Sequence, residues 1–176
     1  MKTHYGKMIG AVLLLLVLAT SVIGAADLDA FWTLDLEGNE VTQEIFSPYR
    51  LTLVNVWATF CPPCLQEMPD LAALSDEYAS KGVQILGIVT DVYHSNQQVF
   101  MNNLGTANAI IEKTGADYVH LLPSQDLHEL RLKYVQVVPE TFFVDSTGKI
   151  VGKTYYGAKN KAAWKSVIDS TLALLD

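Results

Sequence analysis

The chain has 176 residues, half of them apolar and 18% charged, with a formal net charge of −7, a balance that supplies one ordinary globular core. Lys2 and Lys7 are the only charged residues before Asp27, so residues 27–176 carry −9. An acidic domain without a basic cluster excludes nucleic acid as a partner, and no internal repeat or low-complexity tract suggests an array.

Residues 1–26 differ in character from the rest. Lys2, His4 and Lys7 precede the almost wholly apolar run Ile9–Ala19, and Gly24-Ala25-Ala26 then offers a small-x-small cleavage site before Asp27. That is a signal-peptide pattern. Met8–Ala26 is also long and apolar enough for an uncleaved membrane anchor, a tether through residues 8–26. In either case the charges before the apolar run place residues 27–176, one domain, outside the cytoplasm.

Phe31–Leu36 alternates loosely, Glu37-Gly38-Asn39 makes a turn, and Glu40-Val41-Thr42 follows, which predicts a β-hairpin ahead of the main sheet. Ser47–Arg50 leads into Leu51–Trp57, an apolar run of strand length rich in β-formers. The only two cysteines, Cys61 and Cys64, come next, and Leu65, Met68, Leu71, Leu74 and Tyr78 then recur at helical spacing. The pair therefore sits where a buried strand ends and a helix begins.

That position has chemical content. With Cys61 as N-cap, Pro62 and Pro63 are the first two helical residues and Cys64 is the third. Pro63 has no N–H, so the N–H of Cys64 is the donor left for the Cys61 sulfur. The helix N-terminus favours a thiolate over a thiol, whose unperturbed pKa is ~8.5. Cys61 is then expected to be the exposed, activated nucleophile and Cys64 the shielded resolving thiol. A structural zinc site needs about four ligands, and the chain has no second C-x-x-C and no spaced histidine pair. A purely structural disulfide would close so short a loop that chain entropy gives it little value. The pair points to redox catalysis, with the Cys61–Cys64 disulfide as the redox group and neither metal nor cofactor.

Pro69 predicts a kink in this helix, which should end near Lys81-Gly82 with glycine as its cap. Val83–Thr90 reads as a second buried strand, completing a βαβ unit with parallel strands. Two short helices are expected over Asn96–Leu104 and Ala107–Lys113, a short strand over Tyr118–Leu122 and a helix over Asp126–Tyr134. Val137–Asp145 is a strand entered through Pro139, Ser146–Lys149 turns into Ile150-Val151-Gly152, and a last helix runs from a cap near Asn160 to Leu175. The four histidines, His4, His94, His120 and His128, form no spaced cluster and are expected at the surface or in loops.

This pattern resembles the thioredoxin superfamily, and within it the TlpA/ResA-like extracytoplasmic thiol-disulfide oxidoreductases. The match rests on the segment Val54–Cys64, on Glu67-Met68-Pro69, on the hairpin segment Leu34–Asn39, and on Val138-Pro139-Glu140-Thr141-Phe142. The resemblance implies an α/β fold: a central mixed β-sheet flanked by helices, with an N-terminal β-hairpin and an insertion before the cis-proline loop. It implies a cis bond between Val138 and Pro139, with Pro139 against the disulfide and the Val138 backbone available to a partner's extended chain. Trp57, Phe60, Pro62 and Pro63 join Val138 and Pro139 as the implied substrate-binding set. Glu67, on the helix face of Cys64, is implied as a carboxyl that modulates thiol protonation beside the catalytic Cys61 and Cys64. Asn55 stands where thioredoxin has an aspartate, and an amide cannot titrate.

The resemblance further implies a monomeric protein-disulfide reductase supplied by a membrane electron donor, acting on protein substrates that include apocytochromes before haem attachment. Two departures bear on partner recognition: Phe60 stands where tryptophan is usual, and Tyr134 and Val137 stand where glycines are frequent. A copper-binding protein on a related fold would use C-x-x-x-C with a distant histidine, against the C-x-x-C here. A thiol peroxidase would have its threonine three residues before the reactive cysteine, whereas Thr59 is two before Cys61.

Overall fold

A computed structural model describes residues 26–92 and 101–176 of the chain. The expected export segment, apart from Ala26, lies outside these residues, as do His94 and the first part of the helix expected at Asn96.

The main sheet has five strands. Strands β3 (Leu51–Trp57) and β4 (Val83–Val89) form its centre with β6 (Glu140–Asp145), and β5 (His120–Leu121) and β7 (Ile150–Tyr156) form its edges, in the order β5-β4-β3-β6-β7. β3, β4 and β5 are parallel, while β6 pairs antiparallel with both β3 and β7, so the sheet is mixed as expected. Strands β1 (Trp32–Leu34) and β2 (Glu40–Thr42) form the predicted hairpin. Its turn is fastened to the β5 edge: Leu36 N–H donates to His120 C=O and Leu122 N–H donates to Leu34 C=O.

Alternation along β3 decides what each face receives. Leu51 and Leu53 point to one face, where they pack with Leu71, Leu74 and Tyr78 of α1 (Pro62–Ala79) and Trp164 and Ile168 of α4 (Lys161–Leu172). Val54 and Val56 point to the other, against Phe31, Val41, Phe46 and Leu127 of α3 (Gln125–Leu130). Helix α2 (Met101–Thr114) joins α1 beside the cysteines, bringing Ala107 against Trp57, Met68 and Val89. Across the α1–α4 seam Tyr78 Oη donates to Asp169 Oδ1 at 2.6 Å. The carboxyl ends of the parallel pair β3 and β4 open toward the turn that carries the cysteines, the end of an α/β sheet where sites form.

Several boundaries differ from the sequence expectation. α2 is a single helix through Gly105, which does not take the positive φ that would turn the chain there. The helix expected over Asp126–Tyr134 is α3 followed by a separate 3-10 turn at Leu132–Tyr134, broken at Arg131, whose side chain is drawn into the core. α1 stays helical through Pro69 and ends at Ala79, so Ser80 is its cap. Gly82, at φ +72°, instead makes the turn into β4. α4 starts from the Asn160 cap as predicted and ends at Leu172 rather than Leu175.

Candidate active site at the strand–helix junction

Cys61 caps α1. Pro62 and Pro63 occupy the first two helical positions, and the N–H of Cys64 donates to Cys61 Sγ at 3.3 Å. The two cysteines are joined in a disulfide. Their accessibility is less unequal than expected: Cys64 is fully enclosed, but Cys61 is itself only 4% exposed. The reason is the cluster around them, in which Trp57, Met68, Val89, Val92 and Val138 close over the pair. Phe60 by contrast is 74% exposed, and Pro62 and Pro63 are also exposed.

The turn before Cys61 is tied down from β4. Thr59 N–H and Oγ1–H both donate to the Asp91 carboxylate, the hydroxyl at 2.5 Å. Thr90 N–H and its hydroxyl donate to the Trp57 carbonyl. Asp91 was not singled out from the sequence, since an acid after a strand carries no local signal of the turn it will meet.

The Val138–Pro139 peptide bond is cis, and Pro139 is buried. The segment entering it is braced from below. Arg131 Nη2 donates to Glu140 Oε1 at 2.5 Å and to Thr154 Oγ1 at 3.0 Å, and its guanidinium lies 4.2 Å from the centre of the Phe142 ring. Desolvation pushes the Glu140 carboxyl up and Arg131 pulls it back. A buried pair of this kind constrains geometry more than it adds stability. The segment it closes presents Tyr134, Gln136 and Val137, which with Tyr156 line a surface groove of about 360 Å³.

Glu67 is 1% exposed, which overturns any reading of it as a solvated helix-terminus charge. It occupies the buried stripe of α1, between Cys64 and Leu71. Three donors meet its carboxylate: Asn55 Nδ2 reaches Oε1 at 2.9 Å, and Lys159 N–H and Trp164 Nε1 reach Oε2 at 3.1 and 3.0 Å. Burial pushes its proton affinity up, opposed in turn by Trp164, Lys159 and Asn55. Asn55 Nδ2 also donates to Thr141 Oγ1 at 3.0 Å, so the amide bridges β3, β6 and α1. The stripe of Cys64, Met68, Leu71, Leu74 and Tyr78 was the signal that Glu67 points inward.

Two expectations need correction here. Trp57, implied as a substrate contact, has no exposed surface, because its indole N–H donates inward to His120 Nδ1 at 3.1 Å. His120, expected at the surface, is buried in β5. Its Nε2 pairs with the Ala116 carbonyl at 2.8 Å and Tyr118 stacks against it at 4.6 Å. The imidazole fits because β4 carries Gly87 opposite it, where a Cβ would lie 2.1 Å from Nδ1. With Nδ1 accepting from Trp57, Nε2 must donate to Ala116, so the ring is held neutral.

The chain matches the Redoxin family over residues 25–172. It belongs to that family. Within it the chain is similar to the ResA/DsbE-type thiol-disulfide oxidoreductases. It is 28% identical to the thiol-disulfide oxidoreductase ResA of Halalkalibacterium halodurans over 117 residues, 66% of this chain and 60% of that one. It is 30% identical to the thiol:disulfide interchange protein DsbE of Haemophilus influenzae over 132 residues, 75% of this chain and 65% of that one. The chain thus spans less than two thirds of the length of both relatives. A crystal structure of a thiol:disulfide interchange protein, thioredoxin family, from Chlorobium tepidum superimposes with a TM-score of 0.67 at 20% identity, over 86% of this chain and 99% of that one. The fold is thioredoxin-like: a five-stranded mixed sheet flanked by helices, with the two-stranded N-terminal hairpin.

The neutral His120 has a pH consequence. Desolvation lowers its pKa from 6.5 to about 4, against a raising contribution from the Ala116 carbonyl. Between those values the unfolded chain takes up a proton that the folded chain refuses. Stability from this residue is therefore complete above pH 6.5 and falls as the medium is acidified toward pH 4, by on the order of 3 kcal/mol. Urea unfolding at pH 7 and pH 4.5 should show a larger acid loss for the wild type than for His120→Gln. Equal losses would mean that other groups carry the acid sensitivity.

Proposed function

We propose that this chain is an extracytoplasmic thiol-disulfide oxidoreductase that reduces disulfides in protein substrates, with electrons from a membrane donor protein. The observation that carries the reading is the Cys61–Cys64 pair at the N-cap of α1, beside the cis-proline Pro139. In the reduced protein the Cys61 thiolate attacks one sulfur of a substrate disulfide. A mixed disulfide forms and the substrate's other sulfur leaves as a thiolate, to be protonated. Cys64, having lost its proton, attacks Cys61 Sγ and releases the second substrate thiol. Two electrons and two protons pass to the substrate, and the chain ends in the disulfide form.

Phe60, Pro62, Pro63 and Val138 are the residues assigned to the substrate face, around the narrow opening at Cys61. Apocytochrome disulfides, reduced before haem attachment, are the substrate class that the family resemblance implies. Glu67 is assigned as the proton carrier: burial raises the proton affinity of its carboxyl, bringing it closer to that of a thiol with which it would exchange a proton. Its negative charge also opposes thiolate formation. Export and any tether rest on residues 1–26, whose basic start and apolar run suit either.

Three outcomes are expected. Cys61→Ser abolishes disulfide reduction, while Cys64→Ser accumulates mixed disulfides with partners, seen as thiol-reversible adducts on non-reducing gels; adducts formed by the Cys61→Ser protein instead would reverse the assignment. Glu67→Gln shifts the pH profile of disulfide exchange so that thiolate forms at lower pH; superimposable profiles for the two proteins would remove Glu67 from the chemistry. A reporter enzyme that works only outside the cytoplasm is active when fused after residue 176, and activity of a cytoplasm-only reporter at the same position contradicts export.

A further inference from the structure

We propose that Trp164 is a positioning residue for the thiol chemistry, its indole N–H holding the Glu67 carboxylate in place from the far end of the chain. The proposal rests on the assignment of Glu67 as proton carrier. A buried indole N–H requires an acceptor and a buried carboxylate requires donors. Trp164 has no exposed surface, and its Nε1 lies 3.0 Å from Glu67 Oε2. Each group is the other's remedy.

The delivery of the indole is specific. The segment from Gly157 to Trp164 runs across the site as a strap. Gly157 N–H donates to the Pro139 carbonyl at 2.9 Å, Lys159 N–H to Glu67 Oε2 at 3.1 Å, and Lys161 N–H to Asp70 Oδ2 at 2.9 Å. Asn160 caps α4, accepting from Ala163 N–H at 2.9 Å, and so sets where the first turn of α4 presents Trp164. Lys159 Nζ sits 5.1 Å from the centre of the indole ring and pins its outer face. One segment thereby touches the cis-proline residue, the acid and α1.

The groups facing Glu67 come from every neighbouring element. Cys61 and Cys64 stand at the start of its own helix and Asp70 stands one turn on. The strap brings the Lys159 ammonium, and β3 and β6 bring the neutral Asn55 and Thr141. Tyr118, before β5, interacts with the acid through a hydroxyl that burial keeps protonated. None of the others replaces the indole: without it Oε2 keeps only the Lys159 N–H.

The test separates the N–H from the ring. Phenylalanine keeps most of the packing and removes the donor. In the oxidised protein, where no thiol titrates, the Glu67 carboxyl is followed by carbon-13 NMR against pH. Trp164→Phe should raise its proton affinity about tenfold, the value of one N–H donated to a charged acceptor. In the reduced protein the carboxyl then stays neutral to higher pH, so alkylation of Cys61 by iodoacetamide should move to lower pH. The same substitution in the Glu67→Gln background should leave the alkylation profile where it was. Replacement of Trp164 by 3-benzothienylalanine, which keeps the bicyclic shape without the N–H, carries the same expectations should the phenylalanine variant not fold. An unchanged carboxyl titration overturns the proposal. So does an equal alkylation shift in the Glu67→Gln background, which would assign the effect to packing. A shifted titration with no movement of alkylation leaves the hydrogen bond but overturns its part in the chemistry, whereas failure of the assigned oxidoreductase reading is seen independently in the Cys64→Ser adducts.

Discussion

A carboxyl group inside an apolar helix face is costly unless its oxygens are met by donors. Glu67 sits in such a place, and the three donors that meet it come from β3, from the strap before α4, and from α4 itself. Its own helix supplies none of them. The carboxylate therefore joins elements that are far apart in the chain, from Asn55 to Trp164, and it does so on the stripe that also carries Cys64. Hydrophobic packing of Leu71, Leu74 and Tyr78 against Trp164 and Ile168 brings α1 and α4 together. Packing alone would tolerate small slides, while three directed hydrogen bonds to one carboxylate do not.

A second polar device lies at the other edge of the parallel strands. Glycine in a central strand weakens it, having no side chain to pack and more entropy to lose. Gly87 is tolerated because the His120 ring takes the volume its side chain would fill. That imidazole in turn gives the Trp57 indole a buried acceptor at 3.1 Å. Trp57 is then a wall of the buried cysteine cluster. The exposed side chains beside the cysteines are those of Phe60 and the proline pair, next to the segment braced by Arg131 and Glu140.

Much of this was legible in the sequence, where one local rule suffices. The apolar run Leu51–Trp57, the lone cysteine pair and the spacing of Leu65 to Tyr78 determined a strand, a turn and a capped helix. The missing N–H of Pro63 determined that Cys64 donates to Cys61, because a cap accepts from the second or third helical N–H and only the third remains. The Asn160 cap and the βαβ unit follow from equally local chemistry. Helix ends were less legible: Gly105 could be read as a break, and Arg131 ends α3 only because a carboxylate nine residues later draws it inward.

What the tertiary structure alone decided is which polar groups are enclosed and with whom. Sequence spacing places Glu67 on the face of Cys64, but the depth of that face depends on α4 and the strap, which lie some ninety residues away. His120 looked like a loop residue because nothing near it in sequence marks Gly87 or Trp57 as its neighbours. Asp91 and Thr59 meet only when β3 and β4 pair. Secondary structure and capping are set by interactions within a few residues. Burial and hydrogen-bond pairing of ionisable groups are set by contacts that exist only once the sheet and its helices have assembled, and those contacts shift the proton affinities of Glu67 and His120.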